Sequence, residues 1–362
     1  MFRIALAILA FTAPSVIFWP CNAMAKGAEP TSHVYEGAVG AAPVVVTLDI
    51  SGNSVSGNYF YSGKWFDIDL QGEAKKGALQ LKSNATGDKL TLKPTASGYV
   101  GALTTAKRKT LVVELRAIGP EAASNVPADA ADGLNLYEKM RASGLTLKPQ
   151  KAETIAGKSV RWYVEPVSGL RLFRIESGYA APAMETMNKA LTRVQWRNIS
   201  DYFGCLSSEG GPGAESSVDG SPYFSDAYVS FALNTSWDCA GAAHPDSGSE
   251  GHSFDARTGK ELWLDDVLKF GKGATPQKDS DAWLEYRSKT FAPALVALLK
   301  RFHPKEMAPH DDDCDYSEAD VWSFPAWRLT VRGVYVGASF PRVARNCDNP
   351  EWSIIPYSAL NE

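Results

Sequence analysis

Residues 44–61 read VVVTLDISGNSVSGNYFY. Val44 to Leu48 and Val55 to Tyr61 are rich in β-branched and aromatic residues, and Ser, Gly and Asn separate them, so the stretch reads as two strands and a turn. Working outward, similar runs follow at Trp65 to Leu70, Ala78 to Leu81, Leu90 to Leu92, Gly98 to Leu103 and Leu111 to Leu115. Gly, Asn, Lys and Ser punctuate them. Residues 31–118 are therefore expected to form an all-β meander. Part of it repeats: Gly57 to Lys64 leads to Ile68-Asp69-Leu70, as Gly101-Ala102-Leu103 leads through Ala106 to Lys109 to Val113-Glu114-Leu115. A meander of about seven strands must curl to cover its edges, which predicts a small barrel or a curved sheet. The aromatics Tyr59, Phe60, Tyr61, Trp65 and Phe66 serve either cross-strand packing or a platform for sugar faces. On the second reading Tyr59, Tyr61 and Trp65 are partner-binding candidates.

The start of the chain sets the compartment. Arg3, the apolar run Ile4 to Trp19 and Ala23-Met24-Ala25 have the order of a secretory signal over residues 1–25, which predicts a periplasmic or secreted protein. No later stretch is long and apolar enough to span a membrane. Removing the signal takes Cys21 with it and leaves Cys205, Cys239, Cys314 and Cys347, an even set expected to form two disulfides. Sequence alone leaves the pairing open, although Cys205 with Cys239 and Cys314 with Cys347 would close the shorter loops. With 37 basic against 41 acidic residues, the net charge of −4 argues against a nucleic-acid partner.

Residues 119–134, rich in Ala, Pro, Asp and Asn, read as a linker, and residues 135–362 read as an α+β domain. Its strands are expected at Val160 to Val167, Leu170 to Ile175, Ala227 to Trp237, Gly251 to Phe254, Trp327 to Val331, Val334 to Phe340 and Trp352 to Ile355. One helix follows Pro182, with Met184, Met187, Leu191, Val194 and Ile199 along one stripe. A second runs from Asp281 to Phe302, kinked or divided at Pro293. The prediction is two layers, with two amphipathic helices on a mainly antiparallel sheet.

Ala242-Ala243-His244-Pro245, followed by Ser253 to Val267 (SFDARTGKELWLDDV), is similar to a G-A-H-P strand end and an F-D-x-x-T-G-K-x-L-x-L-x-D-L hairpin. Those motifs belong to the domain family at the C-terminus of the lysozyme-sensing anti-sigma factor RsiV, found also beside a peptidoglycan deacetylase domain. Met187-Asn188-Lys189-Ala190-Leu191 and the ending Ile355-Pro356-Tyr357-Ser358-Ala359-Leu360 resemble the same family, so the likeness spans roughly residues 155–362. It departs at Ala242, Cys239 and Asn346-Cys347-Asp348. The resemblance implies a bacterial envelope protein whose partner is a muramidase or peptidoglycan.

Catalytic signatures are absent: no G-x-S-x-G elbow, Walker loop or H-E-x-x-H occurs, and neither a cofactor nor a metal is expected. His244, Asp246, His252 and Asp255 could instead gather a metal or act as acid and base, and an envelope hydrolase built on His244 is the alternative function. Asp311, Asp312 and Asp313 form an acidic run suited to steering a cationic partner. The leading expectation is an exported, non-enzymatic protein that binds a protein or glycan. A structural assembly factor is the third reading.

Overall fold

A computed structural model of the chain describes residues 31–123, 126, 132–308 and 314–361. The signal segment 1–25 and the acidic run Asp311, Asp312 and Asp313 lie outside the described residues.

Strands β1 (Thr31–Val39), β2 (Ala42–Ser51), β3 (Ser54–Tyr61), β4 (Ile68–Lys75), β5 (Ala78–Lys82), β6 (Lys89–Pro94), β7 (Gly98–Thr104) and β8 (Thr110–Ala117) pair in sequence order. They close into an antiparallel barrel, with Tyr35 of β1 opposite Ala117 of β8 at the seam. Alternation decides what is inside: Val44, Val46 and Leu48 of β2 point inward to meet Leu70, Leu92 and Leu103. An eight-stranded barrel is just wide enough to be filled by its own side chains. Gly57 permits the tight curvature, because a Cβ there would stand 2.0 Å from the Thr47 carbonyl oxygen.

Barrel closure corrects the reading of the aromatic cluster. Tyr59 is 1% exposed and belongs to the barrel core, where burial pushes its phenol well above the usual range. Tyr61 packs edge-on against it at 5.6 Å. Trp65 tilts over Phe60 at 5.8 Å and lies against Gly144. Tyr59 therefore presents no face to a ligand, whereas Tyr61 and Trp65 pack on their neighbours and stay half-buried.

The segment read as a linker is docked where it is described, with Val126 and Leu134 buried in the core of the second part. Helix α1 (Leu136–Ala142) begins with a capping box, in which Asn135 Oδ1 accepts the Glu138 N–H at 3.0 Å and Glu138 Oε2 accepts the Asn135 N–H at 2.8 Å. It lays Tyr137 on Phe60 of the barrel at 5.1 Å. Arg141, 2% exposed, pairs with Asp67 of the β3–β4 loop and donates to the Ser200 carbonyl at 3.2 Å. Burial raises the Asp67 carboxyl, and the pull of Arg141 and of the Tyr137 hydroxyl at 2.5 Å offsets part of that rise.

The remainder is α+β, as expected, but its strands among the described residues form three antiparallel sheets instead of one. The first is β9 (Lys148–Ile155), β10 (Lys158–Val164) and β11 (Arg171–Ser177). The second holds β12 (Ala214–Val218), β13 (Tyr223–Phe224), β14 (Tyr228–Trp237) and β15 (Asp246–Asp255). The third holds β16 (Ala326–Thr330), β17 (Gly333–Gly337) and β18 (Ile354–Pro356). Helix α2 (Ala181–Gly204) buries Met187, Leu191, Ile199 and Phe203 against Phe173, Phe231 and Phe254. Asn188 completes β11, accepting the Ile175 N–H at 2.8 Å and donating to its carbonyl at 2.9 Å. That gives the asparagine of the Met187–Leu191 motif a structural role.

Three shorter helical pieces follow, α3 (Leu264–Val267), α4 (Asp281–Tyr286) and α5 (Ala292–Phe302), with a π turn over Arg287–Phe291 between the last two. Trp283, Arg287, Phe291, Leu295 and Leu299 recur every four residues and all are buried. That spacing overshoots an α-turn of about 3.6 residues, and the wider π turn brings the row back onto one face. Pro293, with no N–H to give, stands two residues after it. Among the described residues no helix is long and apolar enough to cross a membrane.

Cys205 bonds to Cys239 and Cys314 to Cys347. The first ties the end of α2 to the chain leaving β14 across 34 residues of sequence. Closing a loop of that length removes chain entropy worth about 4 kcal/mol from the unfolded state. The Cys205→Ser, Cys239→Ser variant should therefore unfold at a distinctly lower denaturant concentration. Equal midpoints would show that the link adds no stability.

Candidate functional site

The hairpin after β15 builds the site. Asp255 accepts the N–H groups of Arg257 at 2.9 Å and Thr258 at 3.0 Å, and pairs with the Arg257 guanidinium at 3.0 Å. The Arg257 bond first, with the backbone bonds behind it, holds the Asp255 carboxyl below its usual range. Asp255 is thus a turn-former. The turn returns the chain so that Phe254 bridges Glu261, and this places the Glu261 carboxylate 2.8 Å from His252 Nδ1.

His252 is 5% exposed and stacks on Phe231 at 5.0 Å. A carboxylate can only accept, so His252 Nδ1 donates to Glu261. Nε2 is buried, has no hydrogen-bond partner among the described residues, and lies 4.0 Å from Glu250.

His244 does not join this group. It is exposed in the loop before β15, whereas His252 lies near the other end of the strand. Asp246 turns to Arg345 at 3.4 Å and Arg342 at 3.7 Å. The expected gathering of His244, Asp246, His252 and Asp255 is therefore corrected to His252 with Glu261 and Glu250. No group of three or more His, Cys, Asp or Glu side chains among the described residues is placed to hold a metal.

Two depressions meet at Trp263 and Trp327. The one beside His252, about 290 Å³, is also lined by Asp132, Arg193, Arg197, Glu250 and Glu261. The other, about 380 Å³, has Trp283, Phe324, Pro276 and Pro325 in its walls and Asp266 and Lys278 among its charged groups. Trp263 is 52% exposed and Phe324 51%, unusual values for rings of this size. The wall behind them is rigid: Asp265 accepts from Arg287 at 2.7 Å and from the Trp283 indole N–H at 2.9 Å, and Arg287 donates to the Ser323 carbonyl at 2.7 Å. Arg287 sits in the π turn, a distortion that often marks functional positions.

A larger groove of about 890 Å³ runs over β12, β14, β15 and the third sheet, past Ser216, Thr235 and Ser247. Two of its arginines are already matched, Arg328 with Asp219 at 2.7 Å and Arg345 with Asp348 at 2.7 Å. It presents hydroxyls and closed ion pairs, without the exposed rings of the aromatic cleft.

The sequence places Trp283 on the Asp281 to Phe302 helix and Trp327 at the start of a strand, and it gives no functional reading of Glu250, Glu261, Trp263 or Phe324. Hairpin register was the signal for Glu261, since a turn centred on Arg257-Thr258 sets Glu261 opposite Phe254 and beside His252. No protein-family model and no curated protein matches this chain.

Proposed function

We propose that the protein is an exported, non-enzymatic component of the bacterial cell envelope that binds glycan of the peptidoglycan type in the cleft between Trp263 and Phe324. The observation that carries this reading is a pair of half-exposed rings at a cleft mouth backed by a hydrogen-bonded wall. Pyranose rings have apolar faces that stack on indole and phenyl planes, while rim carboxylates and ammonium groups receive the hydroxyls. Lys278 already holds its ammonium 3.6 Å from the Trp263 ring centre and helps fix the indole. Two disulfides suit an oxidising compartment. The likeness of residues 242–267 to the envelope family adds support. Among the described residues no serine or cysteine hydrogen-bonds to His252 Nε2, the arrangement a nucleophilic hydrolase needs.

Titrating the oxidised chain with N-acetylglucosamine oligomers should give saturable binding with a change in tryptophan fluorescence. Trp263→Ala should weaken it by about thirtyfold, the effect of removing a central aromatic anchor worth about 2 kcal/mol. Because Trp263 is half exposed, the thermal midpoint should stay within about a degree or two. Equal affinity of the variant would remove the cleft from consideration. A muramidase titrated in parallel tests the protein-partner reading, which rests on Asp311, Asp312 and Asp313.

A further inference from the structure

We propose that the groove over β12 is a docking site for an extended polypeptide segment, which adds to β12 as a further strand. The other sheet edges of the α+β part each carry a guard. β9 has Lys148, Pro149 and Lys151, Asn188 covers β11 at Ile175, and the hairpin closes on β15 where the Leu262 N–H donates to the Ser253 carbonyl at 2.7 Å. On the third sheet Ser230 takes the Leu329 N–H of β16, and His303 Nε2 meets the Ile354 carbonyl of β18 at 2.7 Å. β12 has no lysine or proline, and among the described residues no side chain is bonded to its outer main-chain groups.

The Asp219 N–H donates to the Ala232 carbonyl at 2.8 Å and the Asp238 N–H to the Gly213 carbonyl at 2.5 Å, which fixes the alternation of the ladder. Glu215 and Ser217 therefore bond to β14, and the N–H and C=O of Ser216 point away from it. Glu215, Ser216 and Ser217 all line the groove, as a strand does when it is met along its edge. Ser168-Gly169 and the third sheet wall the groove in, which admits one strand and excludes a folded second copy. Edge groups repeat every ~7 Å along a strand, a spacing that another polypeptide matches. Two cross-strand rows, Ser217 with Asn234 and Ser249, and Glu215 with Ser236 and Ser247, continue onto the added strand and call for hydroxyl side chains there. Tyr335 of the facing wall, 7% exposed, offers a hydroxyl with no hydrogen-bond partner among the described residues. The opposite face is apolar: Val218 and Leu233 pack in the α2 core, and Val167 beside the turn is 53% exposed. The segment therefore alternates serine or threonine with valine or isoleucine.

The probe is a fluorescein-labelled heptapeptide alternating threonine and valine, titrated against the oxidised chain. It should bind saturably. N-methylation of one alternate set of its amides should weaken binding about tenfold or more, and methylation of the other set about threefold or less, since only one set faces β12. Ser216→Pro removes an edge N–H without breaking the ladder to β14 and should also cost about tenfold, whereas Ser216→Ala should stay within about threefold. Trp263→Ala should leave the affinity for the peptide unchanged, because the aromatic cleft is a separate site. No saturable binding at millimolar peptide, an equal effect of the two methylated sets, or unchanged affinity in a folded Ser216→Pro chain would overturn the proposal. So would a chain that sediments as a dimer and becomes monomeric with Ser216→Pro, since a second copy would then hold the edge.

Discussion

Replacing Gly251 by alanine is expected to cost more than about 4 kcal/mol, enough to unfold a marginally stable domain. A Cβ at this position would stand 1.6 Å from the Trp327 carbonyl oxygen. That atom is main chain, so no rotamer change relieves the overlap. The approach is close because Ser230 and Ser253 share a hydrogen bond at 2.8 Å and Ser230 also accepts the Leu329 N–H at 3.0 Å, which draws the second and third sheets together. Gly251 precedes His252, and Trp327 lines both depressions, so the same change removes the site. Denaturant unfolding followed by tryptophan fluorescence gives the answer. A variant within about 1 kcal/mol of the parent would mean the two sheets do not meet as described.

Arg141→Met carries the second large expectation, a loss of about 3–5 kcal/mol, because it strands the Asp67 carboxylate under α1. Asp67 is 11% exposed and, among the described residues, has only the Tyr137 hydroxyl left as a side-chain donor. The companion variant, Arg141→Met with Asp67→Leu, should recover most of that loss, since removing both charges leaves nothing unpaired. The pair sits between the barrel and the α+β part, so the single variant should also split one unfolding transition into two. Equal stability of the single and double variants would show that the buried carboxylate is cheaply solvated.

How much of this the chain announces depends on the period of each element. The barrel was legible because Val44, Val46 and Leu48 alternate cleanly and Gly-containing turns recur. Its first strand was missed because Glu36 and Gly37 interrupt the apolar pattern, and only pairing to β8 makes Thr31–Val39 a strand. β9 escaped for a related reason: Lys148, Pro149 and Lys151 mark a polar sheet edge, where no apolar face is required. The α2 stripe was plain, whereas the division of the later helix was expected at Pro293 and falls instead at the π turn before it. At the site, the hairpin motif was visible but its use was not. Burial of His252 and exposure of Trp263 are set by Phe231 and by packing around Trp327, residues distant in sequence that no local pattern joins.

Barrel closure also dictates an order of events for a chain made from its N-terminus. Glu36 and its ion-pair partner Arg116 are separated by 80 positions, so the seam cannot zip until nearly the whole barrel has emerged. Until then β1 waits with one side paired to β2 and the other open, a template for any passing strand. Holding that edge soluble falls to Ser32, His33 and Glu36, the last of which also hid the strand from view. The polar interruptions of β1 therefore act in time, during the interval before β8 arrives.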